Sequence, residues 1–206
     1  MRIPLQSLVF PHPGLPPGTE PLYGRFREAS FHGKSAVLQR GGTLDLLSHF
    51  NLFNEGRWRR YTRIGDLFFC LRLKGTVRVR IREGSRIRFD GAISSVLEEE
   101  YEIPLSRGRG ILSVFLEAME ETVITGGGFL GESEGGQPRA DRVSVVICTY
   151  NRPEYLVPNL RLLEREMPPL WDAVIVDNGR SLGAGITGGF DSRFRFFPNP
   201  NTGGSG

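Results

Sequence analysis

The 206-residue chain carries 26 Lys and Arg against 23 Asp and Glu, a net charge of +3, with 39% hydrophobic and 24% charged residues. These values suit one globular domain or two small ones and exclude a low-complexity chain; so slight a charge gives no electrostatic footprint for nucleic acid. No apolar stretch approaches the roughly 18 residues of a membrane span, and the proline-broken start MRIPLQSLVFPHPGLPPGTE has none of the layout of a secretory signal. Cys70 and Cys148 stand far apart, each inside an apolar run, which predicts two buried thiols in a reducing compartment rather than a disulfide. The expected location is cytoplasmic, with peripheral attachment to the inner face of the cell membrane as a further option.

In chain order, residues 1 to about 24 are rich in Pro and Gly and predict an extended arm or edge segment. From about 36 to 125 the pattern is one of short strands and turns. The clearest runs from Leu67 to Arg82. Its odd positions Leu71, Leu73, Val77, Val79 and Ile81 are apolar, and its even positions Arg72, Lys74, Arg78, Arg80 and Arg82 are basic. A period of two buries one face and wets the other. Glu83-Gly84-Ser85 forms a turn, after which Arg86-Ile87-Arg88-Phe89 resumes the alternation, and further strands are expected near 97–104 and 111–125. No segment here has a convincing helical period, so residues 1–125 are expected to form an antiparallel β-sandwich. The basic face is expected to be a solvated one paired with Glu98, Glu99, Glu100 and Glu102; an anionic membrane surface is the alternative. Trp58, set among Arg57, Arg59, Arg60 and Tyr61, could stack on a sugar ring or plug one end of the sandwich. His12, His32 and His49 have no metal-ligand spacing.

Residues 126–142, with six glycines and a proline, are expected to be a linker. Beyond it the pattern changes. Val143 to Cys148 is a continuous apolar run, as in a parallel strand covered on both faces. Pro153 to Met167 suits a helix, with Pro153 at its first position and Leu156, Leu160 and Leu163 on one side. Ala173 to Val176 and Phe194 to Phe197 are two more strands. Strand, helix, strand, loop, strand is the opening of a doubly wound α/β domain, expected over 143–206.

Candidate binding residues lie where those strands end. Thr149 and Arg152 sit between the first strand and its helix, where free N–H groups and a partial positive charge favour phosphate. Asp177 and Asn178, ahead of Gly179, could contact a base or a ribose, or form a plain turn. Asn201 lies in a glycine-rich loop, Asn199 to Gly206, that is either a ligand-approaching loop or a flexible tail.

On these motifs the run from Val143 to Gly206 resembles the start of a family-2 glycosyltransferase with the Rossmann-like GT-A fold: VVICTYNRP and VIVDNG match that family's first two signatures. The PNPNTGGSG loop, and HFNLFNEGRWRRYT ahead of the alternating strand, are similar to the galactofuranosyltransferase branch, which carries an N-terminal β-sandwich. The resemblance implies an inverting transferase of cell-envelope polysaccharide synthesis with a UDP-sugar donor and a glycan acceptor. It implies that Thr149 and Arg152 contact the uridine diphosphate, that Asp177 and Asn178 lie against uracil and ribose, with Asn178 where that branch usually has glutamine, and that Asn201 orders the loop. It also implies a divalent metal, Mn or Mg, whose ligands, like the catalytic base, would lie in a part of the family pattern that this chain does not include. No catalytic residue is therefore expected among the 206, and the chain is expected to be a fragment. The competing expectation is a carbohydrate-binding or assembly β-sandwich module with a non-catalytic nucleotide-site remnant. A third makes the sandwich a platform for homo-oligomers.

Overall fold

The structure, a computed structural model, describes residues 1–12, 18–133 and 142–201. The chain divides into two compact units, Met1–Pro138 and Arg139–Gly206.

The first unit is built from β1 (Arg2–Ser7), β2 (Arg25–His32), β3 (Ser35–Asp45), β4 (Phe53–Asn54), α1 (Glu55–Tyr61), β5 (Ile64–Glu83), β6 (Arg86–Leu105), β7 (Ile111–Ala118) and β8 (Thr122–Ser133). All its strand pairs are antiparallel. Where short strands were expected, β5 and β6 each run for 20 residues and pair along nearly their whole length, joined by a turn with Gly84 at φ +59°. The first half of β5, to Lys74, lies against β8, and its second half, Val77 to Glu83, lies against β7. Strand β3 divides its pairing the same way, Ala36–Leu38 on β8 and Thr43–Asp45 on β7. Two leaves thus share β3, β5 and β6, and the chain bends from one leaf into the other.

Alternation sets which face turns inward. Leu67, Phe69, Leu71, Leu73, Val77, Val79 and Ile81 are all fully buried, and they join Leu38, Leu44, Phe53, Leu112, Leu116 and Phe129 in one core. Inward parity is therefore kept through the bend. Gly75 makes this possible. Its φ is +111°, and a Cβ there would lie 2.7 Å from both the Glu121 carbonyl oxygen and the Thr122 hydroxyl. Only glycine takes that backbone without strain. Opposite it, β6 skips register between Glu99 and Ser95.

The outer face of β5 is basic, as its even positions require, and only some of its neutralising partners are those expected. Arg72 pairs with Glu100 at 2.9 Å, whereas Arg78 and Arg80 converge on Asp90 at 2.8 and 2.9 Å. Their hydrogen bonds pull the Asp90 carboxyl down to about 2. The N-terminal arm is an edge strand, β1 on β8, with the Arg2 guanidinium 3.2 Å from the centre of the Phe68 ring. Helix α1 was not announced by the hydrophobic pattern. Asn54 caps it by accepting from the Arg57 N–H at 2.9 Å. The expected linker differs too: Gly126 to Ser133 belong to β8, and 134–141 lie outside the described residues.

The second unit holds β9 (Ser144–Thr149), α2 (Pro153–Glu166), β10 (Asp172–Asp177), α3 (Ala184–Thr187) and β11 (Phe194–Pro198). Its parallel sheet has the order β11-β10-β9. Leu156 and Leu160 of α2 are buried with Met167, Ala173, Ile175 and Phe194. The expected mixed fold with a Rossmann-like GT-A half is corrected here: the chain is mostly β, and this unit is not a doubly wound domain. A doubly wound sheet is covered by helices on both faces. Here burial alternates along β9 and β10, so an apolar run that predicted two covered faces has one. Strand β9 is the edge, with Val146 64% exposed. Cys148, expected to be buried, is exposed for the same reason, whereas Cys70 is buried.

Two measurements check this architecture. Gly75→Ala is expected to cost at least about 2 kcal/mol in denaturant unfolding, because the added methyl meets backbone at a positive φ. The second is thiol labelling of the native protein. Burial, and after it the charge of Glu100, pushes the Cys70 thiol up to about 11, so at pH 8 Cys148 is expected to react and Cys70 to stay unmodified until the protein is unfolded.

Candidate functional site

In the second unit the structure brings most of the sequence-predicted residues to one end of the parallel sheet. Thr149 and Asp177 are register partners on β9 and β10, and the Asn178 N–H donates to the Thr149 carbonyl at 2.9 Å. Their polar atoms are engaged with one another and with the local turn. Buried Asp177 accepts from the N–H groups of Gly179 at 3.1 Å and Leu182 at 2.7 Å, and from the Ser181 hydroxyl at 3.3 Å. The Asn178 side-chain oxygen Oδ1 accepts from the Asn199 side-chain amide Nδ2 at 3.0 Å. Asp177 thus closes the loop after β10 on itself, which is the plain-turn role these residue types often take. Arg152 precedes α2 without capping it and lies over the Tyr155 ring at 5.7 Å. Asn201 ends the described chain, and the rest of its loop, 202–206, lies outside the described residues.

The more open chemistry is in the first unit, around α1. Underneath it is an ionic cluster with almost no contact with water. Glu55, with no exposed surface, accepts from Arg59 at 2.7 Å, from Arg88 at 3.1 Å and from the Gly108 N–H at 2.9 Å. The same Arg88 nitrogen donates to Glu83 at 2.6 Å. Glu83 in turn accepts from the N–H groups of Arg109 at 3.2 Å and Gly110 at 2.6 Å. Burial opposes the charge on Glu83, but the hydrogen bonds from Arg88, Arg109 and Gly110 outweigh it and hold its carboxyl below the usual range. Two carboxylates and two guanidiniums cancel, and each carboxylate ties the loop 106–110 down by its backbone. Arg88 keeps one buried donor, Nη2, the single buried side-chain polar atom without a partner among the described residues.

Above this cluster opens a cleft of about 650 Å³ lined by Asn54, Gly56, Arg57, Arg59, Arg60, Tyr61, Arg107 and Arg109. Five of these eight are arginines and none is acidic. Arg59 is held by Glu55, and by the carbonyls of Ile64 and Gly65 at 3.2 and 3.0 Å. Next to the cleft, Trp58 and Tyr61 form an aromatic ledge with Arg57 and Thr62, over a hollow of about 300 Å³. Of the two roles expected of Trp58, the packing role is the one seen here. One side of its ring stacks on buried Phe53 at 6.4 Å and 13°, and its half-buried remainder lines the ledge. Tyr61 is 69% exposed. The sequence reading named the α1 arginines and missed Arg107 and Arg109; the signal was the alternation Ser106-Arg107-Gly108-Arg109-Gly110. Among the described residues no group of three or more His, Cys, Asp or Glu side chains is placed to hold a metal ion.

No protein-family model matches the chain, and no curated protein matches it. Solved structures with some likeness are carbohydrate-binding modules. A family 29 module complexed with mannohexaose is 17% identical, covering 63% of this chain and 91% of its own with a TM-score of 0.38. A family 6 module from Clostridium stercorarium in complex with cellobiose is 12% identical, covering 65% and 94% with a TM-score of 0.34. The C-terminal family 6 module of a marine laminarinase from Zobellia galactanivorans is 10% identical, covering 53% and 88% with a TM-score of 0.34. At these values the ligand of this chain is a matter for its own residues. The expected membership among family-2 glycosyltransferases is corrected: the three structures compared above are carbohydrate-binding modules, and none is a glycosyltransferase. The expectation of an enzyme with a UDP-sugar donor falls with it. What the motifs had in common with that family is a strand-end turn chemistry that Asp177 and Asn178 satisfy internally.

Removing the buried carboxylate tests the frame of the site. Glu55→Ala leaves Arg59 and Arg88 without their shared counter-charge, and is expected to cost about 3–5 kcal/mol in urea unfolding.

Proposed function

We propose that the first unit is a non-catalytic carbohydrate-binding module whose glycan lies along α1. The observation that carries this is the adjacency of the Trp58–Tyr61 ledge to an open cleft lined with hydrogen-bond donors. A sugar ring has an apolar side that suits an aromatic face and a rim of hydroxyls that suits fixed donors. The ledge is half anchored, since Trp58 is stacked on the core, so its orientation is set before a ligand arrives. The cleft is open rather than enclosed, which fits a site along a chain better than a pocket for a small molecule. Nothing in the cleft supplies a general acid and base pair, because the nearby carboxylates, Glu55 and Glu83, are already committed to arginines and backbone.

The test is a polysaccharide-binding screen of the full chain by affinity electrophoresis, repeated with Tyr61→Ala. Tyr61 is a surface residue, so the variant is expected to unfold at the same temperature as the parent. A loss of about fivefold or more in affinity for the retained polymer is expected, since one exposed aromatic contact is worth about 1 kcal/mol. Retention unchanged by Tyr61→Ala would remove α1 as the site.

A further inference from the structure

Building on that reading, we propose that the ligand is an acidic glycan, its carboxylate or sulfate groups held by Arg57, Arg60, Arg107 and Arg109. All four side chains line the same cleft and are exposed at the surface. Among the described residues none of the four makes an ion pair: the ion pairs of this region join Glu55 and Glu83 to Arg59 and Arg88. The buried cluster is neutral, so four positive charges stand at the rim with no counter-charge in the lining.

The outer face of β5 is arranged differently. Three of its four arginines there meet a carboxylate, Arg72 that of Glu100 and both Arg78 and Arg80 that of Asp90. Around the cleft, two segments about 50 residues apart in sequence are brought together instead with like charges facing one another. The folded protein holds them there through the backbone. The Glu55 N–H donates to the Gly110 carbonyl at 3.1 Å, and the Gly108, Arg109 and Gly110 N–H groups all end on Glu55 or Glu83. Like charges held close repel, and a ligand bearing several anionic groups relieves that repulsion while gaining forked, charge-assisted hydrogen bonds. A neutral sugar relieves none of it. The aromatic ledge beside the arginines argues for sugar rings between the acidic groups rather than a bare anion.

The experiment compares retention of the full chain in polygalacturonate (carboxylate), dextran sulfate (sulfate) and neutral dextran. The parent and the double variant Arg107→Ala/Arg109→Ala are run side by side at low and high NaCl. At least one acidic polymer is expected to bind about tenfold more tightly than dextran, and that margin is expected to shrink in high salt. The double variant should lose about tenfold toward acidic polymer, a clearly larger loss than it shows toward dextran. Arg107→Lys/Arg109→Lys keeps the charge and should lose less than the alanine pair. Unchanged thermal unfolding in each variant separates lost contacts from lost fold. Equal binding of neutral and acidic polymers, or an arginine variant that binds as the parent does, overturns the acidic ligand and leaves the carbohydrate reading standing. If no polysaccharide binds, or single-stranded poly(A) competes as well as the acidic glycan, the carbohydrate reading itself is overturned.

Discussion

A carboxylate with no exposed surface needs its charge answered from all sides, and Glu55 is answered by Arg59, Arg88 and the Gly108 amide. That demand links three parts of the chain that no local preference would join: the short helix α1, the β5–β6 hairpin through Glu83 and Arg88, and the loop ahead of β7. Two ions taken from water in this way are costly, and the cluster is tolerated because almost every donor and acceptor finds a partner. Its contribution is better described as placement than as stability. It decides where the 106–110 backbone lies, and so where Arg107 and Arg109 emerge.

The frame around it comes from two long strands. Because β5 turns the same alternate residues inward on both sides of Gly75, one core serves both leaves. Phe53, just ahead of α1, stacks on Phe129 at 4.3 Å and on Trp58, so the aromatic ledge rests on that core. Site and core are thereby one piece of packing. Flat, polar contact surface stands on a hydrophobic support that cannot shift without cost.

How much of this the sequence disclosed follows from the range of each signal. The alternation of β5 was legible because period two is local, and Leu71, Leu73, Val77, Val79 and Ile81, which it turned inward, are all buried. The bend was not, since a glycine within a strand pattern looks alike whether it weakens, bulges or turns the strand. Helix α1 is seven residues long, too short to show a helical period. The strand ends of the second unit were also legible: Thr149 and Asp177 do meet. Their chemistry was not legible, because Asp-Asn-Gly satisfies a turn as readily as it contacts a ligand. Cys148 shows the same limit, since an apolar run does not tell an edge strand from a central one. The cleft depended on long-range pairing, and no window of sequence holds Arg57 and Arg109 together.

The first and last strands of the first unit are partners. Strand β1 pairs with β8, and the N–H of Ser133 donates to the carbonyl of Met1, a closure across 132 residues. During synthesis the N-terminal strand has emerged long before its partner exists, so it waits as an unpaired edge while the β5–β6 hairpin, whose contacts are nearest in sequence, is free to form. Pro4 within β1 and the arginine that opens it make that edge a poor template for a strand of another chain.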